Sequence, residues 1–320
     1  MKETIVEGIT SAGVKSKTFK KPSDTKQFLR QYVENVPVED LQGRSEEILA
    51  RAALDHLEFG ATRRKGRALL RIFNPTLKEH GYISAYTFVE MVNDDMPFLV
   101  DSVAAAINRH KMAVHITVHP IISVLRNSKG EIAGIAKPGN KDAISESFIR
   151  FAITRETDAT ELKLLRQEIR KVLRDIRVAV RDWEKMRERM RETQALLENG
   201  PKGVDPLLRT ESQALLEWMV DQHFTFLGYR EYKLEKKRDR IFLKSIEGTG
   251  LGILSRDDRG SNSIELTAEM RRLTRSRDWL ILTKANSRST VHRSAFLDYV
   301  VSRFTTRKAT RSASDDLSDC

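Results

Sequence analysis

The chain has 320 residues, enough for two or three domains, and its 40% hydrophobic and 32% charged content is ordinary for a soluble globular protein. Its formal net charge of +11 allows a nucleic-acid or membrane-surface partner, but basic and acidic residues are mixed along most of the sequence. The one cysteine, Cys320, excludes an intrachain disulfide and a cysteine-based zinc site, and no apolar run is long enough to span a bilayer. We expect a cytoplasmic protein.

The N-terminal part separates into a polar start and a helical stretch. Residues 1–22 have no clear apolar period and no secretory signal, so we expect a disordered leader. Residues 23–66 are predicted to form N-terminal helices, the second running from Val38 to Phe59 before Gly60. The first of these helices has apolar residues at helical spacing: Phe28, Leu29, Tyr32 and Val33.

The chain becomes strand-like after residue 67. The predicted strands are ALLRIFNP, SAYTFVEMV, AVHITVHPIISVLRN, EIAGIA and SFIRFAIT. A helix is predicted from Pro97 to Lys111, and another begins at about Asp158. The order β-α-β-β-β-α from Ser84 to Arg174 indicates an α+β, ferredoxin-like unit, an antiparallel sheet with helices on one face, and ACT domains share this topology.

The second of these helices continues far beyond such a unit. Its apolar residues keep heptad spacing for about four heptads. They are Leu165, Ile169, Val172, Ile176, Ala179, Trp183, Met186 and Met190. The helix packs either on its own chain or on a partner, and we expect Trp183 to be mostly buried in either case. The ACT-like domain with this helix therefore spans residues 67–200.

A second, smaller α+β unit is predicted over residues 207–300, after a Pro/Gly-rich linker that ends at Pro206. It begins with the helix LLRTESQALLEWMVD, continues with the hairpin FTFLGYREYKLEKKRDRIFLKS, and ends with a helix and a strand. Residues 303–320 are rich in Ser, Thr, Arg and Asp without an apolar period, so we expect a disordered tail.

Several segments in collinear order resemble the N-terminal part of the large NAD-specific glutamate dehydrogenases. They are RIFNPTLKEHGY, TFVEMVNDDMPFLVDSV, VHITVHPII, LRDIRVAVRDWEKM, DQHFTFLGYREY, GLGILSR and LILTKANSRSTVHRSAFLDY. The resemblance implies ACT-like domains and helical motifs here, with the dehydrogenase domain further along a much longer chain. That family deaminates L-glutamate oxidatively to 2-oxoglutarate and ammonia with NAD.

We therefore expect a regulatory or assembly portion of such an enzyme, inactive alone, that binds no cofactor itself. NAD is the cofactor that the resemblance implies for the full-length family. The expected partners are another copy of the chain, the rest of the dehydrogenase and an amino-acid effector, and no membrane. The resemblance ends after Tyr299, so we expect an aberrant tail, from a frameshift or in a natural short form.

The alternative function is a free-standing basic module, with nucleic acid as its partner. Only 7% of residues are aromatic, and they are not interleaved with the basic clusters, as stacking on bases requires. The densest clusters, residues 63–67 and 271–277, are interpreted as solvated faces. Nucleic acid is therefore disfavoured as a partner.

No catalytic, cofactor or metal site is predicted. The string from Gly248 to Gly252 lacks the third glycine spacing of a dinucleotide fingerprint and is interpreted as a hairpin connection. His115 and His119 lie on one predicted strand, about 13 Å apart at roughly 3.3 Å per residue, so one ion cannot bind both.

The candidate site is the turn formed by Asn93, Asp94, Asp95 and Pro97, and two interpretations stay open. In the first, the carboxylates cap the following helix and tighten the turn. In the second, the turn binds an amino-acid effector, with the amides of the helix N-terminus on its carboxylate and an aspartate on its ammonium. Phe98 follows the proline where sensing ACT domains often have glycine, and its side chain would narrow access.

Overall fold

The computed structural model of the chain describes residues 2–15, 21–198, 205–258, 263–275 and 279–302. These residues fall into two units, Met1–Arg174 and Asp175–Cys320.

The first unit is built on a single antiparallel sheet. Its helices are α1 (Lys2–Lys15), α2 (Pro22–Val33), α3 (Val38–Leu41), α4 (Glu46–Phe59), α5 (Leu77–His80), α6 (Leu99–Arg109) and α7 (Ala159–Glu198), which continues into the second unit. Its strands are β1 (Leu69–Phe73), β2 (Thr87–Asp94), β3 (Val114–Val118), β4 (Ile121–Arg126), β5 (Ile132–Ile135) and β6 (Ile144–Ile153). The strand order is β1-β2-β6-β4-β5, and β3 also pairs with β6. The predicted α+β class with an antiparallel sheet is confirmed.

Strands β3 and β4 correspond to one predicted strand that the structure interrupts at Pro120. Val118 pairs with Arg150, and Ile121 pairs with Ser147, so both segments follow the same neighbour, β6. Proline has no amide hydrogen to donate to the ladder, so regular pairing stops at this residue. Its carbonyl still accepts a hydrogen bond from the amide of Phe148 at 3.0 Å.

Helices α1, α2 and α4 cover one face of this sheet. Ser45 begins α4 by accepting a hydrogen bond from the amide of Ile48, and Pro22 lies in the first turn of α2. One core cluster joins the three helices to the sheet and includes Ile9, Phe28, Leu29, Leu54, Leu57, Val92, Ile122 and Phe148. The predicted helices over residues 23–66 therefore pack directly on the ACT-like sheet.

Helix α1 lies where a disordered leader was expected, and it covers Lys2–Lys15 of the predicted range 1–22; residues 16–20 lie outside the described residues. Ile9 is fully buried, and Ile5, Val6 and Ala12 pack against the same core. These residues lie at spacings of three and four, so one side of the helix is apolar although Gly, Ser and Thr dilute the pattern. Burial of this side against α2 and α4 provides the free energy that orders the segment.

The opposite face of the sheet is also buried, on the side of α6 and α7. It carries Val89, Met91, Ile149 and Phe151, each with no exposed surface. The apolar sides of α6 and α7 supply buried residues, among them Leu99, Val103, Ile107, Leu165, Ile169 and Val172. The sheet thus has helices on both faces, because the N-terminal helices add a layer to the two that were predicted.

The second unit contains the C-terminal part of α7 and several small sheets. Its further helices are α8 (Pro206–Trp218) and α9 (Ala268–Arg275), and its strands are β7 (Gly228–Tyr229), β8 (Tyr232–Lys237), β9 (Arg240–Ser245), β10 (Leu251–Gly252), β11 (Ser263–Glu265), β12 (Leu280–Arg288) and β13 (Phe296–Ser302). The sheets are β10-β7, β11-β9-β8 and β12-β13.

The C-terminal half of the predicted heptad stripe packs into the core of this unit. Met186 is buried with Leu216, Met219, Phe226 and Trp279, and Trp183 and Met190 pack against them. Trp183 itself is partly buried. The stripe therefore packs on its own chain, on the elements that follow Pro206.

This packing moves the division between units from the predicted linker to Arg174 and Asp175, within α7. Residues 199–204 of that linker and the predicted tail, residues 303–320, lie outside the described residues.

Candidate functional site: the turn between strand β2 and helix α6

The turn begins within β2 and ends at a residue with left-handed backbone geometry. Asn93 and Asp94 are the last residues of β2, and α6 begins only at Leu99. Phe98, at the N-cap position, has φ of 72° and offers no side-chain cap. Glycine adopts this geometry without cost, whereas a phenylalanine here is strained. The helix therefore starts two residues after Pro97, and the predicted capping carboxylate is absent from its N-cap.

The Asp94 carboxylate is turned towards the loop before β1. It accepts a hydrogen bond from Arg63 at 2.8 Å and another from the amide of Gly66 at 3.0 Å. Asp94 lies opposite Glu146 in the ladder between β2 and β6. Because Arg63 also donates to Glu146 at 2.6 Å, one guanidinium joins both carboxylates.

Arg126 completes this arrangement, which we call the edge ionic cluster: Arg63, Asp94, Arg126 and Glu146. Arg126 donates to both oxygens of Glu146, at 2.6 and 2.7 Å, and to the carbonyl of Gly60 at 2.9 Å. Arg63 is 1% exposed and Glu146 is fully buried. The interpretation of residues 63–67 as a solvated face is therefore wrong for Arg63, because the buried carboxylate of Glu146 requires a cation and Asp94 beside it is only partly exposed. Its neighbour Arg64 is exposed, as predicted.

The Asp95 carboxylate faces the other side of the sheet. It accepts a hydrogen bond from the hydroxyl of Ser147 at 2.7 Å, and that hydroxyl lies 3.1 Å from Nε2 of His119. Burial lowers the pKa of His119, and the nearby Asp95 partly opposes this effect. In a catalytic triad the acid holds the imidazole that takes the serine's proton, whereas here the Ser147 hydroxyl donates to Asp95 and separates Asp95 from His119, so these three side chains lack that arrangement. The arrangement closes the turn onto β6.

The remaining candidates divide between interior and surface. Asn93 is fully buried in β2, opposite Ser147, whereas Pro97 is exposed. Asp94 and Asp95 are adjacent in sequence, but their carboxylates lie on opposite sides of the sheet. Each carboxylate accepts a hydrogen bond from another residue of the chain. This geometry favours the packing interpretation of the turn over effector binding.

A second set of buried charges, which we call the central ionic row, was not predicted. Arg71, Glu90 and Arg150 lie side by side on β1, β2 and β6. Glu90 is fully buried, 2.6 Å from Arg71 and 3.2 Å from Arg150, and Arg71 also reaches Asp55 at 2.6 Å. Burial would raise the pKa of Glu90, but His56, Arg150 and Arg71 outweigh burial and hold that pKa below its ordinary value.

Helices α2 and α4 contribute two aromatic side chains beside this row. The hydroxyl of Tyr32 lies 2.9 Å from Nδ1 of His56, and Nε2 of His56 lies 3.3 Å from the carbonyl of Met91. Burial lowers the pKa of His56 to about 4 and raises the pKa of Tyr32. A sequence signal for the row existed: Glu90 and Arg150 each interrupt an apolar strand, and a charge in a strand with two buried faces requires a partner.

The other singled-out residues have partners within the chain. Nε2 of His110 is 2.7 Å from Glu168, and Nε2 of His115 is 3.1 Å from the hydroxyl of Thr154. Within the described ranges, no three His, Cys, Asp or Glu side chains are grouped as a metal site requires. In the glycine string, Gly252 has φ of 58°, and a Cβ there would lie 2.2 Å from the carbonyl oxygen of Leu227. Its amide donates to Asp182 at 2.9 Å, so the string forms a tight turn held by α7.

Comparisons with known proteins agree with this architecture. Residues 28–169 match the family of the glutamate dehydrogenase ACT1 domain. The NAD-specific glutamate dehydrogenase of Halomonas elongata is 30% identical over 286 residues, which are 88% of this chain and 18% of that protein. The protein of the same name from Pseudomonas aeruginosa is 35% identical over 235 residues, 72% of this chain and 14% of that protein.

The sheet with its helices is thus an ACT-type domain, a class that the fold and the matched residues define together. The chain belongs to the NAD-specific glutamate dehydrogenase family and represents its N-terminal region. It spans less than a fifth of the length of the relatives it matches. Among the helices described, none is apolar over a length that would cross a membrane.

Proposed function

We propose that this chain is a regulatory and assembly portion of an NAD-specific glutamate dehydrogenase, and that it does not catalyse the reaction alone. The match of residues 28–169 to the ACT1 domain carries the proposal. In the full-length relatives, whose names specify NAD and glutamate, the oxidation would take place in the much longer part of the chain that lies outside this match.

The charges of the ACT-type domain support a role in packing. The edge ionic cluster and the central ionic row pair charged groups inside the domain, and the turn carboxylates Asp94 and Asp95 have donors from the chain. Groups held this way provide a fixed scaffold, because breaking a buried pair leaves an uncompensated charge. We therefore favour assembly with the rest of the dehydrogenase over amino-acid sensing at this turn.

The basic-module alternative loses part of its support. Arg63, one of the four cations in the cluster at residues 63–67, is buried between carboxylates and cannot contact a phosphate. The net charge of +11 alone does not distinguish a partner.

Two experiments test the proposal. Purified chain with L-glutamate and NAD should form no NADH above the blank, and NADH formation that is lost in the variant Glu90→Gln would contradict the proposal.

In the second experiment, the matched N-terminal region is deleted from the Pseudomonas aeruginosa enzyme. We expect an altered number of subunits per particle in sedimentation velocity, or altered kinetics, and an unchanged number of subunits together with unchanged kinetics would refute the regulatory and assembly role.

A further inference from the structure

The edge ionic cluster fixes a turn on the surface of the first unit. This turn, which we call the basic turn, consists of Arg64, Lys65, Gly66 and Arg67. The amide of Arg67 donates to the carbonyl of Arg64 at 3.0 Å, and Gly66 has the positive φ, 77°, that such a turn requires at its third position. Arg63 donates to the carbonyl of Arg67 at 2.9 Å, and Asp94 accepts from the amide of Gly66 at 3.0 Å. The cluster therefore holds the backbone of the turn in one conformation.

The charged side chains of the basic turn have no counter-ions in the part of the chain that the structure describes. Arg64, Lys65 and Arg67 are all exposed, and none of the three forms an ion pair or a side-chain hydrogen bond with a described residue. The edge ionic cluster does not neutralise them, because its two carboxylates are balanced by its own two guanidinium groups. Three like charges within four residues repel one another, and a fixed turn keeps them close together.

A neighbouring turn adds a fourth cation. The carbonyl of Gly130 accepts a hydrogen bond from the amide of Arg63 at 2.8 Å, which holds residues 127–130 beside the basic turn. Lys129 of this second turn is exposed and also has no ionic partner among the described residues. The one acidic residue here is Glu131, which is exposed as well. The two turns together expose four cations and one carboxylate, a net charge of +3.

The shape and composition of this patch indicate the class of anion that it fits. All four residues of the basic turn are exposed, so the turn protrudes, whereas sites for small ligands are concave. Residues 61–67 and 127–131 contain no aromatic side chain for stacking on bases and no large apolar side chain for insertion into a membrane. Arginine and lysine pair with carboxylates, and a turn that is already ordered loses little conformational entropy on binding.

We propose that the basic turn and Lys129 form a docking site for an acidic segment of a polypeptide. The chemistry of that partner follows from the patch, whereas assigning the segment to the rest of the dehydrogenase rests on the proposed function. The edge ionic cluster acts here by positioning, because the buried Arg63 holds the turn without contacting the partner.

The test uses the whole chain and a labelled synthetic peptide of about ten residues, roughly 33 Å when extended, in which glutamate alternates with serine. A twin peptide has lysine in place of every glutamate, and fluorescence anisotropy measures both affinities. We expect the acidic peptide to bind with an affinity that falls as salt rises, and the lysine twin not to bind. The triple variant Arg64→Ser/Lys65→Ser/Arg67→Ser should bind the acidic peptide about tenfold more weakly, since three exposed ion pairs together contribute about that factor.

The matched control is the triple variant Arg170→Ser/Lys171→Ser/Arg174→Ser. These residues of α7 are likewise exposed and have no ionic partner among the described residues, so both variants lose three positive charges from the surface. The control should bind the acidic peptide within about twofold of the unaltered chain, because charges beyond a Debye length are screened. Equal binding of the two peptides, or an equal loss in the two variants, would mean that net charge alone governs binding and would overturn the proposal.

Two further probes represent the other classes of anion. They are a short double-stranded DNA and vesicles of phosphatidylcholine with phosphatidylserine. Tighter binding of either probe than of the acidic peptide, lost in the Arg64→Ser/Lys65→Ser/Arg67→Ser variant, would assign the basic turn to nucleic acid or to a membrane surface and refute the proposal.

These outcomes are independent of the proposed function. If the purified chain formed NADH, the proposed function would fail while peptide binding could still be measured. If the acidic peptide did not bind, the docking site would be refuted while the family assignment and the deletion experiment would be unaffected.

Discussion

Arg63 shows how the surroundings of a single side chain decide its contribution. It is buried between Asp94 and Glu146, and its neighbour Arg64 is exposed. We expect Arg63→Ala to lower the free energy of unfolding by about 3–5 kcal/mol, because it leaves two carboxylates short of a cation. Arg64→Ala should change it by less than about 0.5 kcal/mol. Urea unfolding of both variants checks this, and equal effects would contradict it.

His56 makes a prediction about pH. Its pKa is about 4 in the folded chain and 6.5 ordinarily, so the unfolded state binds more protons between these values. The contribution of His56 to the free energy of unfolding should therefore be constant above pH 6.5. As the pH drops towards 4, the free energy of unfolding should fall by at most about 1.4 kcal/mol per pH unit because of this residue.

The measurement is urea unfolding at several pH values between 7 and 5, for the unaltered chain and for His56→Gln. The variant should be less stable at neutral pH but should show a shallower slope, since it has no imidazole to charge. His223→Gln serves as the control, because that ring is exposed. The same slope in His56→Gln and the unaltered chain would show that other groups cause the pH dependence.

A sequence alone does not distinguish buried from exposed charged residues, as Arg63 and Arg64 show. Both belong to one basic run, and nothing local distinguishes them. The carboxylates that bury Arg63 are 31 and 83 residues away along the chain. Burial of a charge is a property of the assembled sheet, so the turn residues Asp94 and Asp95 could be found but their partners could not.

Among the elements, Trp183 on helix α7 allows a quantitative prediction. It packs against the core of the second unit, and the guanidinium of Arg187 lies 4.8 Å from its ring centre. Because it is only partly buried, Trp183→Ala should cost about 2–3 kcal/mol, below the ~3–5 kcal/mol of a fully buried tryptophan. Leu196→Ala on the same helix, where the side chain is 52% exposed, should cost less than about 0.5 kcal/mol.

Iodide quenching of tryptophan fluorescence provides an independent measurement for this element. A variant that keeps only Trp183 should be quenched less than a variant that keeps only Trp218, which is 49% exposed. Stronger quenching of Trp183 than of Trp218 would place its side chain in water and contradict the packing described.

Elements with a clear pattern of apolar residues were predictable from the sequence. Elements in which Gly, Ser and Thr interrupt that pattern were not. The strands β2 and β6 follow from their aromatic and β-branched residues, and the helix α7 follows from the heptad stripe. Helix α1 has only Ile5, Val6, Ile9 and Ala12 as its pattern, among Gly, Ser and Thr. Its order comes from contacts with α2 and α4, which a local period does not reveal.

For the molecule as a whole, the C-terminal tail remains a prediction. Residues 303–320 lie outside the described residues, and their composition lacks the apolar period that folding requires. Deleting them should leave the thermal midpoint unchanged in differential scanning calorimetry. A fall of several degrees would mean that the tail packs on the fold.

Helix α7 is one unbroken element of 40 residues, and the division between the two units falls within it, at Arg174. Amide hydrogens of a helix exchange with solvent to the extent that their own region opens, so their protection reports the free energy of that opening. Those before Arg174 should therefore report the opening of the first unit, and those after it the opening of the second. A single continuous helix would thus carry two protection levels, and the step between them would measure how differently the two halves of the chain resist local unfolding.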